Sequence, residues 1–245
     1  MILYPSIHIK DGMVARLTRD SGYLNQAEIL ANDPAARAAE FEAQHFSWLH
    51  VVDLNGAFEG KPVNISPVEA ILSRVKIPIQ LSGGIRDMAT VDRWFDKGVA
   101  RVVLTTAAVQ KPELLHEACR RYPGRIAVKI DSRGGYVAAT GWTKTSSMKA
   151  LDLALRVEDA GAAALIYADI NTDNALSEVN TEAVIDLAFA LTMPVIVSGG
   201  VHSIHDLQDL NDNASAGIAG IILGGALYNG KIKAEQALAL VAQAS

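Results

Sequence analysis

The sequence predicts an α/β fold, a single (β/α)8 (TIM) barrel, and three observations lead there. Along 245 residues, eight mostly apolar runs alternate with eight helical patterns, as expected of parallel strands covered by helices. The length is long for one ordinary domain and normal for a barrel of eight units. The chain also repeats itself. Ser82-Gly83-Gly84-Ile85 and Ser198-Gly199-Gly200-Val201 each follow an apolar run, and they lie 198 − 82 = 116 residues apart. Residues 48–53 match 164–169 at the same offset, 102–105 are echoed by 221–224, and the first strand by 125–131. Four elements matching in the same order point to duplication rather than chance. Two half-barrels, approximately 1–122 and 123–245, would close symmetrically into one domain over 1–245. That symmetry favours the barrel over a doubly wound open sheet.

The units follow in order. Strand 2–10 leads to a helix near 34–44, where Asn32-Asp33-Pro34 offers a cap followed by proline. Strand 48–54 precedes a helix near 66–75, and strand 77–82 one near 88–98. Strand 101–105 leads to a helix near 111–121, opened by Lys111-Pro112-Glu113. The second half runs through strands 125–131, 163–169, 193–198 and 218–223, with helices near 147–160, 180–191, 203–211 and 232–243. Most of the strands are continuous apolar runs, as parallel strands buried on both faces require. The longest loops are expected at 11–32, 55–65 and 132–146. In a barrel they sit at the carboxyl ends of the strands, where active sites are built.

Composition narrows the class. Half of the residues are hydrophobic, enough for a large core. No long uninterrupted apolar span and no basic leader before an apolar stretch is present, so a soluble, cytoplasmic protein with no removed signal is expected. The single cysteine, Cys119, has no partner for an internal disulfide and reads as a helix residue rather than a nucleophile. A net charge of −5 without a basic run argues against nucleic-acid binding. An anionic small-molecule substrate must then be held by backbone donors and a few cations.

Two glycine pairs supply such donors. A strand ending in Gly-Gly before a helix lets the backbone approach a phosphate and points N–H groups at it. Two copies suggest one ligand with a phosphate at each end. Asp131 ends the fifth strand and His8 lies near the end of the first. Four units separate them, so they face each other across the mouth and can form an acid–base pair. Asp131 could instead cap the loop Ser132-Arg133-Gly134-Gly135, and His8 is equally readable as a hydrogen-bonded structural residue. Asp53 and Asp169, the duplicated pair, could orient ligand groups or simply hold their own loops. Lys129 should point inward one layer below Asp131, which calls for a shifted pKa or an ion pair. Arg86 is placed to meet a phosphate or to pair with an aspartate at the barrel top. His202 and His205 suit a solvated face, and no His/Cys cluster has metal-ligand spacing.

The chain resembles the histidine-biosynthesis isomerase family, which acts on a phosphoribosylformimino-aminoimidazole carboxamide ribotide. The matching stretches include Pro5-Ser6-Ile7-His8-Ile9-Lys10-Asp11-Gly12, 49–54, 82–87 and Thr106-Ala107-Ala108-Val109. They continue through Ile130-Asp131-Ser132-Arg133-Gly134-Gly135, Gly141-Trp142, 198–201 and Gly224-Gly225-Ala226-Leu227-Tyr228. The resemblance covers essentially the whole chain. It implies a monomeric enzyme without cofactor or metal that performs an Amadori rearrangement, aminoaldose to aminoketose, on a bisphosphorylated substrate. It places Asp131 as general acid. It assigns substrate and phosphate binding to Gly83, Gly84, Arg86 and Thr106, to Asp169, and to Ser198, Gly199, Gly200, Gly224 and Gly225.

The chain departs from the family pattern at several positions. His8 stands where the family has its other catalytic aspartate, Ala168 where a threonine is usual, and Asp173-Asn174 where Asp-Gly is usual. Thr105 replaces a common glycine, Gly225 a common basic residue and Ser82 a frequent glycine. Two classes of function follow. The first is an isomerase with His8 as base, for this substrate or for another phosphorylated aminosugar. The second is a catalytically impaired or diverged paralogue that binds a phosphorylated ligand.

Overall fold

The computed structural model of the protein describes residues 1–16, 27–105, 108, 110–139, 144–169 and 179–242. Its strands are β1 (Ile2–Lys10), β2 (Met13–Arg16), β3 (Glu28–Ala31), β4 (Leu49–Asp53), β5 (Ile79–Ser82), β6 (Arg101–Leu104), β7 (Ile126–Arg133), β8 (Tyr136–Ala139), β9 (Lys144–Lys149), β10 (Ala164–Asp169), β11 (Val195–Ser198) and β12 (Ile218–Leu223). The helices are α1 (Pro34–Ala43), α2 (Leu54–Glu59), α3 (Ile65–Arg74), α4 (Met88–Asp96), α5 (Pro112–Arg121), α6 (Ala150–Asp159), α7 (Thr181–Phe189), α8 (Ile204–Asp212), α9 (Gly225–Tyr228) and α10 (Ala234–Ala242).

Eight strands pair in parallel around a closed ring, β1-β4-β5-β6-β7-β10-β11-β12, and β12 returns to β1 with Ile2 opposite Gly220 and Tyr4 opposite Ile222. The (β/α)8 barrel is therefore the fold. Alternation along each strand divides the side chains between two faces. Tyr4, Val103, Ala127, Ile166 and Ile222 fill the barrel interior. Ile7, Ile9, Leu49, Val51 and Leu165 face outward and pack with helix residues such as Val68, Ile71, Trp94 and Leu207. Both faces are apolar, which is why the strands read as unbroken hydrophobic runs. Tyr228 closes the ring from outside, donating its hydroxyl to the Ser6 carbonyl at 2.9 Å.

The helix starts follow local chemistry. Asp33 accepts from the amides of Ala35 and Ala36, and Pro34 opens α1. Asp87 caps α4 through the Thr90 amide, and Ser203 forms a capping box with Asp206 at α8.

The loops hold more structure than the sequence indicates. β2 and β3 form an antiparallel hairpin within 11–32, α2 lies within 55–65 except for its first residue, and β8 and β9 pair within 132–149. Residues 147–149, expected to begin a helix, belong to β9, and α6 starts at Ala150. The polar run of β9 has no apolar period, and its extended form comes from pairing with β8. Among the described residues no helix is long and apolar enough to cross a membrane.

Candidate active site

The barrel mouth and the layers beneath it gather ionisable groups from β1, β4, β6 and β7. Lys129 and Asp131 are two residues apart on β7, so both point inward, and the Lys129 ammonium pairs with Asp131 Oδ1. His8 on β1 lies four strands round the ring from β7, on the opposite wall. It is only partly exposed. Loss of solvent, reinforced by the Lys129 charge, lowers its pKa from 6.5 to about 4. His8 is thus a neutral imidazole at neutral pH, and less basic than a free histidine.

His50 on β4 is the group that sequence reasoning passed over. It is 2% exposed, and burial, then the charges of His8 and Lys129, hold its pKa well below 6.5. Its Nδ1 lies 3.1 Å from Gln80 Nε2 on β5. The Gln80 oxygen accepts from Arg101 Nη1 at 3.2 Å, and that guanidinium sits 4.8 Å from the centre of the Trp48 ring. Inward alternation on β4, β5 and β6 could have indicated this column, since His50, Gln80 and Arg101 are register partners.

The two glycine pairs lie between these walls. Gly83-Gly84 end β5 and Gly199-Gly200 end β11, four strands apart on the ring. All four residues have positive φ, from 71° to 104°, a region that favours glycine. Their surroundings differ. A Cβ on Gly83 would sit 2.2 Å from the Asp53 carbonyl oxygen, and one on Gly84 would sit 2.4 Å from the Lys61 carbonyl carbon. Close packing of the 53–62 segment therefore demands the first pair. Gly199 is exposed, and among the described residues nothing lies within 4 Å of a Cβ placed there, while Gly200 lies against the Val179 backbone. Gly224 and Gly225 stand beside this second pair on the adjacent strand. A Cβ on Gly225 would come 3.8 Å from Arg16 Nη1, so a guanidinium from the β2–β3 hairpin occupies the neighbourhood of a position that lacks its own cation. Arg16 also pairs with Glu28 at 2.7 Å. The helices after both pairs carry their own caps, Asp87 and Ser203. A phosphate would thus be met by the glycine-turn backbone rather than by bare helix ends.

Other expected site residues lie elsewhere. Asp53 is fully buried and holds its loop, accepting from the amides of Gly56 (2.8 Å), Val63 (2.7 Å) and Asn64 (3.0 Å), and from Asn64 Nδ2. Asp169 follows Tyr167 on the outer face of β10, where it accepts from Asn180 Nδ2 at 3.1 Å. Burial raises its pKa, partly offset by that bond. The structure does not bring Asp169 together with His8 and Asp131. Arg86 is exposed and leans on the α2 turn, donating to the Ala57 carbonyl at 3.4 Å. Ser198 is half-buried at the end of β11, opposite Ile222. Thr106, Gly141-Trp142 and Asp173-Asn174 fall outside the described residues. No group of three or more His, Cys, Asp or Glu among the described residues could hold a metal ion.

Comparison with known proteins adds a family. Residues 2–233 match a family model described as "Histidine biosynthesis protein". The chain is 56% identical over 242 residues to a phosphoribosyl-(phosphoribosylamino)methylideneamino imidazole-4-carboxamide isomerase of Rhodospirillum centenum, covering 99% of this chain and 97% of that protein. A protein of the same description from Azospirillum brasilense is 55% identical, covering 100% of this chain and 96% of its own length. One from Rhodospirillum rubrum is 54% identical, covering 99% and 100%.

Proposed function

From the premise that the chain belongs to the histidine biosynthesis protein family, we propose that it is a cytoplasmic, monomeric isomerase. It converts the bisphosphorylated phosphoribosylformimino-aminoimidazole carboxamide ribotide from aminoaldose to aminoketose by an Amadori rearrangement. One arrangement carries the reading: His8 opposes the Lys129–Asp131 pair across the mouth, and the two glycine turns occupy the remaining quarters. An elongated substrate held at both phosphates by Gly83, Gly84 and Thr106 at one end, and Gly199, Gly200, Gly224 and Gly225 at the other, would cross the acid–base axis at its reacting carbons.

Asp131 donates a proton to the ribose ring oxygen as the C1–O bond opens, leaving a protonated Schiff base at C1. The Lys129 ammonium, paired with Oδ1, stands next to that carboxyl and resupplies the proton. Neutral His8 then takes the C2 proton, and the enolamine collapses to the ketose as C1 gains a proton and the C2 hydroxyl loses one. The lowered basicity of His8 weakens this step. The negative phosphates of bound substrate counter Lys129 and favour the imidazolium. Ser198 and Arg86 flank the phosphate turns. Asp169 holds Asn180, where α7 starts.

We also read the chain as one domain built of two half-barrels. The repeated polar contacts support this. Glu42 accepts from the amides of Lys76 and Ile77, and Glu158 from those of Thr192 and Met193. Asn64 donates to Asp53 as Asn180 does to Asp169.

Turnover of the purified protein on the aminoaldose tests the function. The expected outcome is measurable isomerisation that Asp131→Asn lowers by about 10²–10⁴-fold. The alternative, an impaired or diverged paralogue that binds a phosphorylated ligand, is favoured by the weak basicity of His8 and by Ala168. It prevails if the protein binds the substrate without turning it over and His8→Asp restores activity.

A further inference from the structure

The column beneath the mouth fixes more than packing. Arg101 has only donors, so the Gln80 oxygen must face it, and the Gln80 amide NH2 is then turned toward His50 Nδ1. A nitrogen that accepts from an amide carries no proton. We infer that Arg101 and Gln80 are positioning residues that lock His50 in the tautomer protonated at Nε2, making it a fixed neutral hydrogen-bond donor in the layer beneath His8.

This inference rests on the isomerase reading and deepens it. His50 lies one inward layer below His8, opposite Ser6 on β1, and two neighbouring imidazoles would otherwise share one proton. His50 cannot use Nδ1, which Gln80 occupies. The Lys129 charge on β7 and His8 on β1 oppose its protonation, and the Arg101 cation of β6 lies beyond Gln80. The division of labour is therefore set from below: His8 accepts the carbon-bound proton, and His50, buried in the layer beneath it, keeps its Nε2–H as a fixed donor and cannot take that proton at Nδ1. Arg101 is held for this duty by the Trp48 ring and by its bond to Gln80, which is itself fully buried.

Nitrogen-15 spectra of histidine-labelled protein at neutral pH test it, with the His50 signals identified by their loss in His50→Asn. The expected result is a protonated Nε2 and an unprotonated Nδ1. Gln80→Glu replaces the donor with an acceptor while keeping a partner for Arg101, so the proton should move to Nδ1 and kcat should fall by about tenfold or more with KM little changed; a wrong tautomer behind a catalytic imidazole has cost up to about 10⁴-fold elsewhere. Arg101→Lys, which keeps a donor, should retain the Nε2–H form, and Arg101→Met should give a mixture of tautomers. A native His50 protonated at Nδ1, or a tautomer indifferent to Gln80→Glu in a folded variant, overturns the inference. Should Gln80→Glu not fold, the native spectrum and Arg101→Met decide. Absent turnover with the Nε2–H form intact would instead count against the isomerase reading alone.

Discussion

Lys129 is the residue on which the mouth turns, because it touches both halves of the proposed chemistry. Its ammonium pairs with Asp131 and depresses the basicity of His8 from across the barrel. Lys129→Met should therefore raise the His8 pKa above about 4 and move the acidic limb of the kcat/KM profile to higher pH, while kcat falls because Asp131 loses its ion-pair partner. A limb that stays put or moves to lower pH would remove Lys129 from the account. Cys119 behaves in the opposite sense. It is buried on α5, and burial pushes its thiol up to about 11, so the native protein should resist thiol reagents at neutral pH and react on unfolding. Rapid native labelling would contradict that placement.

Elements are joined at the mouth by side chains that repeat from one half to the other. Asn64 caps no helix amide with its own side chain; instead it links three segments, accepting from the Gly12 amide at 2.9 Å and donating to Asp53 and Asn55. Asn180, its counterpart, is more exposed and makes fewer bonds among the described residues. Asn64→Ala should cost about 2–4 kcal/mol by leaving buried polar groups unpaired, and Asn180→Ala about 1 kcal/mol; urea unfolding would measure both, and equal losses would refute the asymmetry. The glycine turns give a parallel contrast. Gly84→Ala adds a clash with the Lys61 backbone to an unfavourable φ, whereas Gly199→Ala meets open space. The first should destabilise by more than about 2 kcal/mol and the second by about 1 kcal/mol. The second should nonetheless weaken binding of the bisphosphorylated substrate, seen by calorimetry.

At the scale of the whole molecule, the buried histidines make the barrel sensitive to acid. His8 titrates near 6.5 when unfolded and at about 4 when folded. As pH falls through 6.5 the unfolded chain takes up protons first, so stability present above 6.5 is lost progressively toward pH 4. His8 alone should account for roughly 3 kcal/mol, and His50 adds in the same direction. Denaturation midpoints measured from pH 7 to pH 4 should fall, and His8→Asn should flatten the decline. A midpoint constant over that range would rule out neutral buried imidazoles.

Sequence alone determined the ring of eight strands and most of its helices, because strands apolar on both faces leave unbroken runs and because caps such as Asp33-Pro34 act within a few residues. It also placed His8 and Asp131 on opposite walls, since the number of units between them sets the angle. Only the tertiary structure decided which charged groups meet. Lys129 reaches up to Asp131, Asp169 turns outward to Asn180, and Arg16 approaches Gly225 from a hairpin that ran through the sequence as plain loop. Gln80 and Arg101 read as ordinary strand residues until closure set them beside His50. Local patterns encode periodicity and caps; the partner of a side chain, and hence its proton, depends on which distant stave the closed barrel brings alongside it.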